Sequence, residues 1–532
     1  MKPLHPLLID GVWTSPEEST DSFSAADPST GEDLTAYFPL SGQATIDRLL
    51  NAAGLASRTL ANTAPTALAS FLDNYATAID EHAEELATLA HRETGLPRRP
   101  RLLEVEIPRT IKQLRDAAQS ARSEDWTMPT IDTAHDIRSR LESLAKPVLV
   151  MGPNNFPFAY NGICGGDFAA AVATGHAVIA KSHPAHPGTT QRLAELALVA
   201  ATAAHLPPAT VQLFYHCSPE VGLSLAGDSR LGAIGFTGSE TAGRKIKAAA
   251  DAVGTPGYFE MSGVNPVTIL PGALVERPEE IAHEFCDSCH QGTGQFCTSP
   301  GLVLTVEGLG FDRFLAAAAK RFDGATLGPM LSRALPSHLK ASVKALLHAG
   351  ALMVARGTTP AETGFTVAPV LLRVSGRTFL NDPAVFQNEM FGPAALVVVA
   401  ANSTELVQIA QRLNASLTGS IYSVTDQTDD LLYERISSIL APRIGRLLND
   451  KMPTGVAVSP AMMHGGPFPA GGHPGFTAVG MPASLRRFGA LRCYDHVRPH
   501  RLPASLRNEN PTGKLWRSID GVWTQSDASA SG

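Results

Sequence analysis

Pro147-Val148-Leu149-Val150-Met151, followed at once by Gly152-Pro153-Asn154-Asn155-Phe156-Pro157, is a short apolar run that breaks into a glycine- and proline-rich turn. Such a run bounded by turn residues predicts a strand, and a helix is expected after it at about 167–173. The pattern then repeats. Ala177-Val178-Ile179-Ala180-Lys181 leads through His-Pro-Ala-His-Pro to a helix near 189–204, and Val211-Gln212-Leu213-Phe214-Tyr215 precedes another. A further strand at 231–236 ends at Thr237-Gly238-Ser239 before the next helix. Strands alternating with helices at this spacing predict a parallel, doubly wound sheet, and so an α/β fold.

Downstream, strand-like runs return at 267–270, 301–306 and 394–399 with helical segments between, which predicts a second α/β unit from about 262 onward. Upstream, the alanine- and leucine-rich stretch 44–91 repeats its apolar residues at three- and four-residue spacing, so 40–125 reads mostly as helices. The segment 127–144 is polar and roughly alternating, through Ile131, Thr133, His135, Ile137, Ser139 and Leu141, like a solvent-facing hairpin inserted into the first unit. One hexapeptide occurs twice, as Ile9-Asp10-Gly11-Val12-Trp13-Thr14 and Ile519-Asp520-Gly521-Val522-Trp523-Thr524. Solenoid arrays repeat every ~20–50 residues. This echo instead predicts two similar hairpins, each turning at an Asp-Gly pair whose glycine tolerates positive φ.

At 532 residues the chain is several times the ~100–150 of a common domain, so two or three packed units are expected. Its 44% hydrophobic and 17% charged content excludes a disordered chain, and 46 glycines with 39 prolines are too few for low-complexity sequence. The formal charge of −7 gives no general basic field, which argues against nucleic acid as a partner. No run approaches the ~18 apolar residues of a membrane helix, and Met1-Lys2-Pro3-Leu4-His5-Pro6 lacks the basic start and apolar stretch of a secretory signal. A cytoplasmic protein without a membrane partner is therefore expected. Six cysteines are far too sparse for a disulfide scaffold.

One of those cysteines, Cys297, sits in Gln291-Gly292-Thr293-Gly294-Gln295-Phe296-Cys297-Thr298-Ser299-Pro300-Gly301, where glycines let a substrate and backbone N–H donors approach a thiol. A free cysteine is more often simply packed. Three distant features raise its standing: Asn155 in the proline turn, Glu260 in Phe259-Glu260-Met261-Ser262-Gly263, and Glu389 in Asn388-Glu389-Met390-Phe391-Gly392-Pro393. Singly, such an asparagine caps its turn and such glutamates are solvated; the joint order is what carries weight. A rival constellation, His283, Cys286, Cys289 and His290, places four potential metal ligands in eight residues. Structural zinc sites join two ligand pairs across a loop, whereas this run reads as helical and spreads its ligands over more than one face, so no metal is expected there.

Asn155-Phe156-Pro157, Lys181, Phe236-Thr237-Gly238-Ser239 with Gly243, Glu260, Gly294-Gln295-Phe296-Cys297 and Glu389-Met390-Phe391-Gly392-Pro393, in this order, resemble the motifs of the aldehyde dehydrogenase superfamily over at least 146–400. Lys181-Ser182-His183-Pro184-Ala185-His186-Pro187-Gly188, Gln295-Phe296-Cys297-Thr298, His464-Gly465-Gly466-Pro467 and the tail from Leu506-Arg507-Asn508-Glu509-Asn510-Pro511 to Leu515-Trp516 narrow the likeness. They are most similar to the NADP-dependent 2-oxoglutarate semialdehyde (2,5-dioxovalerate) dehydrogenase branch. The resemblance implies a Rossmann-like cofactor domain at 1–126 and 146–261 and an α/β catalytic domain at 262–490. It also implies a small β oligomerisation element from 127–145 with the tail 491–532, in a homodimer or homotetramer.

The resemblance further implies that Cys297 attacks the aldehyde carbon while the Asn155 amide and the Cys297 backbone N–H hold the oxyanion. Glu260, its pKa raised by desolvation, would activate the water that hydrolyses the thioester. Lys181, His183, Pro184, Phe236, Gly238, Ser239, Gly243, Glu389 and Phe391 would bind the cofactor, Lys181 at the adenosine ribose, Glu389 at the nicotinamide ribose and Phe391 near the nicotinamide. The loop 238–243 offers backbone donors and a positive helix end to a pyrophosphate, without Gly-x-Gly-x-x-Gly spacing. Pro184 stands where NAD-preferring members often carry a glutamate, which favours NADP, with NAD as a second cofactor. Phe156, Phe158 and Phe296 would line a substrate pocket that suits a longer apolar aldehyde as well as a dicarbonyl acid. The rivals are a non-redox thiol hydrolase or acyltransferase built on Cys297, a CoA-acylating dehydrogenase, and an inactive scaffold. Glu260 as water-activating base and the complete Cys297, Asn155 and Glu260 set argue against the last two.

Overall fold

The run at 147–151 forms the strand Val148–Met151, an inner strand of a seven-stranded sheet. The computed structural model describes residues 3–16, 21–261, 263–360 and 363–529; Met1, Lys2, Ser262 at the expected unit boundary, and the last three residues lie outside these. Across the sheet the order is Gly257–Glu260, Ala233–Thr237, Val148–Met151, Val178–Lys181, Val211–Phe214, then Leu7–Ile9 and Val12–Thr14. The first five strands run parallel, as their spacing predicts. Their apolar residues share one core with the helices Gln43–Leu60, Pro65–Glu81, Ile107–Ser123, Gly166–Ala173 and Pro187–Ala203.

A second seven-stranded sheet follows the order Leu352–Arg356, Val370–Ser375, Ala394–Ala400, Leu302–Val306, Val267–Ile269, Ser416–Tyr422 and Ile444–Asn449. Only Leu352–Arg356 runs against its neighbour. Its core gathers buried residues from Val264 to Met452. The expected catalytic unit at 262–490 is therefore too long: Met481, Leu485 and Phe488 pack into the first core. Leu485 and Phe488 lie on a short 3₁₀ helix, Ala483–Phe488, and Met481 just before it, a stretch too short for an apolar period from which a partner could be read. Between the two cores, Phe156, Ala159, Tyr160, Phe296, Ala478 and Val479 form a small bridging cluster.

The predicted hairpin is Thr130–Asp132 with Ile137–Ser143, and the C-terminal region completes it into a five-stranded sheet. Gly489–Asp495 pairs along one side and Arg517–Ile519 along the other. The repeated hexapeptide forms two hairpins of identical register, Ile9 opposite Val12 and Ile519 opposite Val522. Both turns are left-handed at each central residue, with φ of 51° and 73° at Asp10 and Gly11 and of 49° and 85° at Asp520 and Gly521. Each docks on the edge of a different sheet. Buried Arg517 fastens the tail by donating to the carbonyls of Arg507, Asn508 and Ser526. Among the described residues no helix is long and apolar enough to cross a membrane.

Candidate active site

Parallel strands all end on one side, and ligands of open α/β sheets sit beyond those carboxyl ends. Here that crevice is a cavity of about 610 Å³ built from the turn after Met151, from Lys181 at the end of its strand, and from the loop after Thr237. Lys181, His183, Pro184, Phe236, Gly238, Ser239, Glu389 and Phe391 all line it, together with His216. Gly243 does not: a Cβ there would meet Met261 at 2.6 Å, so its role is close packing of the helix Glu240–Asp251. Ser239 caps that helix by accepting the Ala242 N–H. Burial holds the Lys181 ammonium below its ordinary pKa. Burial, with His186, Lys181 and His216 as neighbours, does the same to the His183 imidazole.

Cys297 lies at the other end of this cavity, half-buried, on the loop that follows the helix Pro278–His290. The loop is tied down from several sides. Asn265 donates to the carbonyls of Cys297 (2.8 Å) and Ser299 (3.0 Å), and Gln295 accepts the Leu331 N–H at 2.9 Å. Gly294, at φ 69°, has the Gly392 carbonyl where a Cβ would sit, 2.1 Å away, so only glycine lets the loop meet the Glu389–Pro393 segment. The Asn155 side chain donates to the Gln295 carbonyl at 2.8 Å, which leaves a second N–H on the same nitrogen. The turn carrying Asn155 is held by Glu106, which accepts the Phe158 and Ala159 N–H groups and pairs with Arg101; Arg101 in turn donates to the Asn155 carbonyl.

Glu260 ends the edge strand Gly257–Glu260 and is buried beside His464, whose Nε2 lies 2.9 Å from Oε1 and 3.6 Å from Cys297 Sγ. His464 stands in the His-Gly-Gly-Pro run used for the branch likeness, yet sequence reasoning gave it no role. Burial alone would raise the Glu260 carboxyl, but His464, Cys297 and Arg109 more than offset it and hold the group below its ordinary range. This corrects the expectation of a raised Glu260. Burial and the Glu260 charge push the Cys297 thiol up instead.

On its other side Cys297 faces a second cavity, of about 830 Å³, which Phe156 and Phe296 line. Phe158 is fully buried in the first core and is not among the lining residues, which corrects its expected substrate role. Three cations line this cavity. Arg101 is paired with Glu106 and Lys112 with Asp116. Arg109 donates to the Val456 carbonyl (2.9 Å) and the Tyr160 hydroxyl (2.8 Å), keeps a buried Nε without a partner, and forms no ion pair among the described residues, its charge acting on Glu260 at longer range. The 283–290 run gathers no ligand set: Cys286 and Cys289 are buried in the second core, while His283 is exposed.

The aldehyde dehydrogenase family profile matches residues 13–437. Alpha-ketoglutaric semialdehyde dehydrogenase 2 of Azospirillum brasilense is 35% identical, with 93% of this chain and 95% of the relative covered. Alpha-ketoglutaric semialdehyde dehydrogenase of Acinetobacter baylyi is 33% identical, covering 94% and 97%. Among solved structures, a mutant of aldehyde dehydrogenase C from Pseudomonas syringae in complex with NAD+ and octanal superposes with a TM-score of 0.80 at 22% identity, covering 94% and 98%. Lactaldehyde dehydrogenase of Escherichia coli also reaches 0.80, at 21% identity over 92% and 98%. With a family match of that extent over both sheets and the cysteine loop between them, the chain belongs to the aldehyde dehydrogenase family.

Proposed function

We propose that this chain oxidises 2-oxoglutarate semialdehyde, or a close relative with a carboxylate at its far end, to the acid, using NADP in preference to NAD. The observation that carries this reading is Cys297 at the meeting of two cavities, one with Lys181, Ser239 and Glu389 along it and one holding Arg109, which forms no ion pair among the described residues. The names of the two bacterial relatives support the same substrate.

In this reading the His464–Glu260 pair takes the proton that Cys297 must lose, since burial holds the resting thiol protonated. The thiolate attacks the aldehyde carbon, and the free N–H of Asn155 with the Cys297 backbone N–H stabilises the oxyanion, a contribution of about 3 kcal/mol per donor. A dinucleotide held along Lys181, Glu389 and Phe391 would supply the hydride acceptor beside the carbon bonded to Cys297. With the Cys297 proton passed on to solvent, Glu260 draws a proton from water, whose oxygen attacks the thioester carbon; the C–S bond breaks, the acid departs and the proton returns to the Cys297 sulfur. A carboxyl held below its ordinary range is ionised and ready for that step.

Lys181 supports NADP, because its ammonium would meet a 2′-phosphate and neither His183 nor Pro184, which follow it along the cavity wall, carries a negative charge. All six cysteines are free thiols, which supports a reducing, cytoplasmic setting. The open edge of the third sheet supports a homodimer or homotetramer. A non-redox thiol hydrolase would have no use for the cavity lined by Lys181, Ser239 and Glu389. The test is a steady-state panel of 2,5-dioxopentanoate, succinate semialdehyde and octanal, each with NADP and with NAD. The highest kcat/KM is expected for 2,5-dioxopentanoate with NADP. A higher value for octanal overturns the substrate, and no reduced cofactor with any aldehyde overturns the redox reading.

A further inference from the structure

We infer that Cys297, His464 and Glu260 also form a zinc site, through which the enzyme is held in a reversible, metal-blocked state at its own nucleophile. Their sulfur, nitrogen and oxygen donors all lie within 4.8 Å of one another, and no other group of three such side chains converges among the described residues. Thiolate, imidazole and carboxylate are the ligands zinc takes, and three protein ligands with one open position is a common zinc arrangement.

The spacing fits the ion. With Zn–S near 2.3 Å and Zn–N near 2.0 Å, tetrahedral geometry separates the two donors by about 3.5 Å. Cys297 Sγ and His464 Nε2 are 3.6 Å apart. Nitrogen and oxygen on one tetrahedral zinc stand about 3.3 Å apart. The Glu260–His464 contact of 2.9 Å therefore needs to open by only a few tenths of an ångström. Both Glu260 oxygens are buried, and their contacts are to His464 and Cys297 themselves, so the carboxylate faces the two other ligands and no competing donor. Half-buried Cys297 leaves the fourth position open to the aromatic cavity, which is also the entry path.

Charge points the same way. A thiolate beside a buried carboxylate is two anions in one apolar enclosure, which is costly unless a cation joins them; one divalent ion with a neutral imidazole makes the set neutral. Binding forms bonds from the metal to Sγ, Nε2 and a carboxylate oxygen and breaks the thiol S–H bond. The proton goes to solvent, and nothing is oxidised or reduced. Coordination draws electron density from the Cys297 sulfur and places the ion where the aldehyde carbon would approach, so metal and aldehyde compete.

The test reads metal rather than turnover, so it stands or falls apart from the proposed substrate. Chelator-treated enzyme is loaded with Zn²⁺ or with Co²⁺ as a spectroscopic probe, gel-filtered and analysed for metal. About one ion per chain, with a thiolate-to-cobalt absorption band, is expected for the wild type and for Cys286→Ser, and both signals are lost in Cys297→Ser and His464→Gln. In the unmodified protein, Zn²⁺ is expected to slow iodoacetamide alkylation of Cys297 at least tenfold, read by peptide mass spectrometry and reversed by chelator. No retained metal, equal metal in Cys297→Ser, or unchanged alkylation overturns the proposal.

Discussion

At the scale of single residues, the site divides its work between groups whose loss has different signatures. Cys297→Ala removes the nucleophile, so reduced cofactor is expected neither in a burst nor at steady state; residual turnover would assign the attack elsewhere. Glu260→Gln keeps the thiol and removes the water-activating base, so a rapid burst followed by turnover slowed roughly 10²–10⁴-fold is expected in stopped-flow absorbance. In the proposed reading Arg109 would hold the carboxylate at the far end of the substrate. A hydrogen bond to a charged group contributes about 1.5–3 kcal/mol, so Arg109→Leu should lower kcat/KM for 2,5-dioxopentanoate roughly 10- to 150-fold more than for pentanal. Equal losses on both aldehydes would make Arg109 a packing residue. Cys297, Asn155 and Glu260 were legible because each sits in a short motif at a strand end or tight loop. Arg109 and His464 were not. Arg109 lies in the charged stretch 98–115 like any solvent-facing arginine, and its missing partner is a tertiary fact. His464 sits in a Gly- and Pro-rich segment with no periodic element, and reaches Glu260 only through chain closure. Phe158 misled because nothing local separates it from Phe156, two residues earlier, although one is buried in the core and the other lines the cavity.

At the scale of elements, the parallel strands were legible because apolar runs bounded by turns have few other readings, and their order followed from the alternating helices. The third sheet was half legible: alternation gave its hairpin, but the parallel pairing of Arg517–Ile519 with Thr130–Asp132 joins segments almost four hundred residues apart. How that hairpin is tied to the first unit yields a pH prediction. His176 is buried, and its Nε2 accepts the Leu144 N–H at 3.0 Å while Nδ1 lies 2.9 Å from Thr174 Oγ1. Burial pulls its pKa down to about 4. The unfolded imidazole titrates near 6.5, so on acidification the opened state takes up the proton first. The anchoring is therefore fully present above about pH 6.5 and declines as pH falls toward 4, by about 3 kcal/mol in total. Hydrogen exchange of peptides covering 137–145 should show opening that grows easier over that window, and His176→Gln should flatten the dependence. The same slope in both proteins would move the effect to other groups.

At the scale of the whole molecule, neither unit holds the site alone. Asn155 and Glu260 come from the first core's sheet, Cys297 from the second unit, and His464 from the segment between them, so the chemistry requires the two units to be docked. The groups proposed for catalysis converge within one chain, so in that reading catalysis is separable from assembly. Assembly has an evident surface. The third sheet ends on one side in the short tail strand Val522–Thr524 and on the other in Gly489–Asp495, seven residues paired only to Ile137–Ser143. Leu491 on that strand is 71% exposed. A long open edge with an apolar side chain invites pairing with another chain, and closed symmetric pairing satisfies it without leading to fibres. Light scattering of the wild type should therefore give two or four times 56.1 kDa. Leu491→Arg puts a strongly solvated charge on that edge and should at least halve the mass, while the Cys297-dependent burst per chain persists. A wild-type mass retained by the variant would locate the interface on one of the other sheet edges, of which Ile444–Asn449 with Leu447 is the longest remaining.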